Sequence, residues 1–94
     1  MRNREAEVQE KIRAIRKRLE EGLKVLPTHD HLKDLPVEFE PVDYRTLLIH
    51  FSGAVFFSEG DVVAIREILG GTRSYEITHD QDQQVRLSFT VTME

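Results

Sequence analysis

The sequence predicts an α+β domain: a long N-terminal helix followed by a β-α-β-β body. The body is half of a ferredoxin-like fold, a small antiparallel or mixed sheet with one helix on a face. Three observations carry this expectation. Apolar residues recur at helical spacing through the first two dozen positions. Strict alternation of apolar and polar residues marks the last stretch, "VRLSFTVTM". Between them, "SEGD" opens an amphipathic segment that closes on Gly70-Gly71. With 94 residues there is room for one hydrophobic core, so 1–94 is expected to be one domain. It divides into an amphipathic helix over 4–26, a proline-containing connector over 27–43 and the body over 44–94.

Val8, Ile12, Ile15, Leu19 and Leu26 are spaced by four, three, four and seven residues, with Leu23 beside them. At about 100° per residue these side chains form one stripe. No Gly or Pro interrupts the helix before Gly22, and Pro27 ends it. The stripe resembles a coiled-coil seam of about three heptads. Its flanks are basic, however. In a parallel homodimer Lys11 would face Arg16 of the other copy, and an antiparallel pair also brings cations together. An apolar stripe edged with arginine suits an acidic surface better. The helix is therefore expected to pack on its own body or on that of a second subunit.

All three prolines, Pro27, Pro36 and Pro41, fall in the connector, which forbids a long helix there. "VEFE", residues 37–40, alternates as a short edge strand would. Residues 44–52 read as a strand with Leu47, Ile49 and Phe51 on one face and Thr46, Leu48 and His50 on the other. Gly53 would bulge or bend its continuation. Ser58 is the expected N-cap of the next helix, with Asp61 at the third helical position and Val62, Ile65, Ile68 and Leu69 facing inward. In the last two strands, Tyr75 and Ile77 must share a face with Val85 and Leu87. A three-residue turn, Asp80-Gln81-Asp82, achieves this by pairing Ile77 with Val85, Tyr75 with Leu87 and Glu76 with Arg86. With a right-handed crossover the last strand can then lie between the other two.

The net charge of −4 conceals a division. Residues 1–24 carry eight Lys/Arg against five Glu, while the remainder carries five against twelve Asp/Glu. The absence of cysteine excludes a disulfide framework and any thiolate zinc site. The first residues are charged where a secretory signal would be apolar, and no apolar run is long enough to span a bilayer. A cytoplasmic location with no membrane partner is expected.

Three groups of residues are candidates for function. The densest polar cluster is His29-Asp30-His31 with Asp34, in "LPTHDHLKDLP". In an extended segment His29 and His31 project to one side, a start for a zinc site that Asp34 would extend. The same composition is ordinary for a solvated loop between prolines. The second is the basic run of the helix: Arg13, Arg16, Lys17 and Lys24 are the residues that would contact nucleic-acid phosphates. Glu10 and Glu20 interrupt that run, and the helix offers no aromatic ring for base stacking. The third is apolar and structural: Val8, Ile12, Ile15 and Leu19 of the helix, with Leu48 and His50 on the wet sheet face, would form an interface. Were that face covered, titration of His50 would couple to assembly.

No nucleophile–base–acid arrangement is legible along the chain, Ser58 being better explained as a helix cap, and no motif implies a cofactor. The expectation is a non-enzymatic interaction or assembly module, homodimeric or higher, binding itself or another protein. A nucleic-acid-associated regulator is the alternative, and a metal-dependent site at His29/His31 the third reading.

Overall fold

The computed structural model describes residues 4–25, 32, 35–54, 57–70, 72–79 and 84–93. In chain order these form α1 (Arg4–Lys24), β1 (Val37–Pro41), β2 (Thr46–Ala54), α2 (Glu59–Leu69), β3 (Thr72–His79) and β4 (Val85–Thr92). The four strands make one sheet in the order β1-β2-β4-β3, with every neighbouring pair antiparallel. The fold is α+β, and β4 lies between β2 and β3, the arrangement that a right-handed crossover allows.

Both helices pack on the same face of this sheet. The expected stripe of α1 is buried at Val8, Ile12, Leu19 and Leu23, with Ile15 half-buried among them. From α2 come Val62, Ile65 and Leu69, and from the sheet the odd-numbered residues Leu47, Ile49, Phe51, Leu87, Phe89 and Val91. Phe51 and Phe89 meet edge-to-face at 6.0 Å between centroids and 85° between planes. A body of four short strands and one helix buries too little by itself. Four α1 side chains, each stabilising by about 1.5–3 kcal/mol on full burial, complete the core. The helix that sequence alone left free to choose a subunit thus packs on its own body.

Local chemistry sets the element ends. Ser58 Oγ accepts from Asp61 N–H at 3.1 Å, and the Asp61 carboxylate accepts from Ser58 N–H at 3.0 Å. The far end of α2 closes at Gly70, whose N–H donates to Arg66 O at 2.9 Å, and Arg18 of α1 donates to the Leu69 carbonyl at 3.1 Å. Gly53 has φ +86°, and the β2–β4 register shifts between Phe51 and Ala54, so the expected bulge is present.

Two expectations need correction. The β3–β4 register is Tyr75↔Phe89, Ile77↔Leu87, Thr78↔Arg86 and His79↔Val85. Ile77 therefore does not face Val85, nor Tyr75 Leu87, and Glu76 stands opposite Ser88 rather than Arg86. Parity was right and the turn length was not: five residues separate His79 from Val85. Parity fixes only which face a residue occupies, and a shift of two preserves it. The second concerns the connector, in which no core residue was expected. Leu32 is fully buried within the core cluster.

Candidate functional site: the open sheet face

With both helices on one side, no described element lies over the other side of the sheet. Strand alternation directs Thr46, Leu48 and His50 of β2 and Ser88, Thr90 and Thr92 of β4 to this face. Glu38 and Glu40 of β1 share it, as do Ser74, Glu76 and Thr78 of β3. One row of neighbours runs Glu38–His50–Ser88–Glu76, and the next runs Glu40–Leu48–Thr90–Ser74.

His50 is the centre of the face. It is 8 % exposed, and both ring nitrogens are engaged. Nδ1 lies 2.7 Å from Ser88 Oγ directly across the strand pair, and Nε2 lies 2.9 Å from Glu40 Oε1 on the diagonal. An ionised carboxylate can only accept, so Nε2 must carry a proton. In the neutral ring Nδ1 then accepts from the Ser88 hydroxyl, giving a chain Ser88→His50→Glu40. Nearby, Arg86 Nη2 reaches Glu38 Oε1 at 3.4 Å between a partly exposed and a largely exposed side chain, a contact of small energetic weight.

A serine, an imidazole and a carboxylate in sequence form the nucleophile–base–acid order of acyl-transfer sites. The surroundings do not support that chemistry. Ser88 sits mid-strand on β4, which is paired on both sides, so the N–H groups around it belong to ladders with β2 and β3. Among the described residues, no pair of free donors converges beside Ser88 to hold an oxyanion. The chain of hydrogen bonds instead fixes three strands at one point. No family model, curated protein or solved structure matches this chain. The site must therefore be read from its own geometry.

The predicted residues fall into three environments. Leu48 and His50 lie on the open face as expected. Val8, Ile12 and Leu19 are lodged in the chain's own core, which takes these three from the surface available to a partner, while Ile15 packs half-buried against it. Of the basic residues, Arg16 stands over the Phe39 ring at 4.8 Å and beside a groove bordered by Leu19, Leu23 and Lys24. Arg13 and Lys17 are exposed. His29, His31 and Asp34 lie outside the described residues, among which no group of three or more His, Asp or Glu is placed to hold a metal ion.

Glu40 and Ser88 were not singled out from sequence. Alternation placed His50 and Ser88 on the same face, but only the register of three strands makes them neighbours. A local signal for Glu40 did exist. Asp43 Oδ1 accepts the N–H groups of Arg45 and Thr46, each at 2.8 Å, which forms the tight turn from β1 into β2. These bonds hold the Asp43 carboxyl below its ordinary range, the Arg45 N–H being the largest cause. The turn sets Glu40 opposite Leu48, two residues from His50.

Proposed function

We propose that this chain is a non-enzymatic assembly module whose open sheet face, centred on Leu48 and His50, packs against a second copy of itself. The observation that carries the reading is the distribution of charge over that face. Its centre is built of Thr46, Leu48, Ser88, Thr90 and Thr92 around the hydrogen-bonded His50, with no Lys, Arg, Asp or Glu among them. Its margins carry Glu38, Glu40, Arg86 and Glu76. A charge-depleted centre within a charged rim is the anatomy of a protein interface.

Size agrees with this. Four strands about 4.8 Å apart, of five, nine, eight and eight residues at about 3.3 Å each, present a plan of roughly 480 Å². Side-chain relief raises the accessible area above the plan, toward the roughly 800 Å² per partner of a standard interface. Polar faces of this kind bind through shape and hydrogen bonding as much as through apolar area.

Light scattering on the eluting protein tests the proposal. At high micromolar concentration the mass should exceed the 11.0 kDa of one chain. Leu48→Arg should lower that mass while leaving the circular dichroism unchanged. A mass indifferent to Leu48→Arg would overturn the face contact, as would a strict monomer.

A further inference from the structure

The two edges of the sheet are built differently. β1 at one edge has five residues, is bracketed by Pro36 and Pro41, and carries Glu38 and Glu40. Proline offers no N–H to a further strand, and two carboxylates repel a second copy, so this edge is protected. β3 at the other edge has eight residues and no proline, and its Arg73 and Glu76 cancel in charge. Every residue from Arg73 to His79 is exposed. On its helix side Tyr75 and Ile77 are 47 % and 43 % exposed, although the residues paired with them, Phe89 and Leu87, are fully buried. Val63 on α2 is exposed as well, and Arg66, one turn later, stands over the Tyr75 ring at 5.8 Å. That contact sets this flank of α2 alongside β3. Three large apolar residues thus line one unprotected strand edge, among the described residues.

We propose that β3 pairs antiparallel with β3 of a second copy, continuing the sheet across a two-fold axis at Ile77. Like faces must match, so paired residue numbers share parity. An axis at Glu76 would set two carboxylates directly opposite each other. An axis at Tyr75 would run the pairing into the irregularity between Thr72 and Ser74. An axis at Ile77 avoids both. It sets Ile77 opposite itself, Glu76 opposite Thr78 of the second copy, and Tyr75 opposite its His79. β3 carries no net formal charge, so the acidity of the body does not oppose this contact as it would at β1. The pairing is separate from the face contact proposed above, because addition at the edge leaves Leu48 and His50 open.

The chain has no cysteine, which makes single-thiol cross-linking clean. Directly paired antiparallel residues have Cα atoms about 4.5–5.5 Å apart, inside the roughly 4.4–6.8 Å that a disulfide spans. Tyr75→Cys, Glu76→Cys and Ile77→Cys would be compared under mild oxidation with Lys17→Cys on the exposed side of α1. Ile77→Cys should link on the order of a hundredfold faster than Lys17→Cys, since paired thiols meet at an effective millimolar rather than a bulk micromolar concentration. Fastest linking at Tyr75 or Glu76 would overturn the axis, and rates equal to Lys17→Cys at all three would overturn the edge pairing. Adding Leu48→Arg to Ile77→Cys should leave the link intact. Its loss would show that the sheet face, not β3, brings the copies together.

Discussion

Gly22 and Ile68 meet where the two helices pack: a Cβ on Gly22 would lie 2.8 Å from both Cγ1 and Cγ2 of Ile68. In the sequence this glycine looks like a weak point in an otherwise continuous helix. In the fold it is the gap that lets α1 approach α2. Two effects compete in Gly22→Ala. Helix propensity favours alanine by about 1 kcal/mol. The added methyl has no room, and the clashing atoms include both branch carbons of Ile68 near its backbone as well as its Cδ1 tip at 2.9 Å, so overpacking should cost about 1–3 kcal/mol. Net destabilisation is expected in urea unfolding, and the cost should shrink when Ile68→Ala is combined with it, giving a favourable coupling of about 0.5–3 kcal/mol. A stabilised Gly22→Ala single variant would show that the helices move apart freely.

The Ser88–His50–Glu40 chain predicts unequal costs for its members. Ser88→Ala leaves Nδ1 of a mostly buried ring without its partner, for which about 1–3 kcal/mol is expected. Glu40 is 57 % exposed at its side chain, so Glu40→Gln should cost less than about 1 kcal/mol. The double change His50→Leu/Ser88→Ala removes donor and acceptor together and should be milder than Ser88→Ala alone. Urea unfolding of the four proteins, with the wild type as reference, orders them. Equal losses for Ser88→Ala and Glu40→Gln would contradict the burial argument.

What could be read from the sequence divides along the range of the interactions involved. The stripe of α1, the Ser58/Asp61 cap, the bulge at Gly53 and the alternation of β4 all rest on neighbours within one turn or one strand, and all are found. The position of β4 between β2 and β3 is an arrangement that a right-handed crossover allows but does not dictate. The β3–β4 register did not follow, because parity is blind to a shift of two. The His50 cluster was hidden for the same reason: His50, Ser88 and Glu40 are adjacent only once three strands are aligned.

Asp43 predicts a pH dependence in the β1–β2 turn. Its carboxylate accepts two backbone N–H groups, and its pKa is lowered from the ordinary 3.8, first by Arg45 N–H, with desolvation opposing and Thr46 reinforcing. A lowered folded-state pKa means that ionised Asp43 stabilises the fold above the unfolded-state value. That contribution is lost as the pH falls through the folded-state pKa. Wild type should therefore exceed Asp43→Ala in stability at neutral pH, with the gap closing below 3.8. Denaturation midpoints of both proteins from about pH 6 to about pH 2 check this, and a gap that widened on acidification would refute the assignment.

Leu32 predicts that the connector is part of the core rather than a tether. It is fully buried, and its carbonyl accepts from Leu35 N–H at 3.4 Å. Around it, Leu19 and Leu23 of α1 and Val37 and Phe39 of β1 border the same groove. A leucine enclosed in this way loses transfer free energy and leaves a void when truncated, so Leu32→Ala should cost about 2–5 kcal/mol, the range of a central core leucine. Leu47→Ala on β2 is the internal standard, since Leu47 is equally buried. Similar losses for the two would make residue 32 the pin that holds α1 against β1. A loss below about 0.5 kcal/mol for Leu32→Ala, the value of an ordinary surface substitution, would return the connector to a passive role.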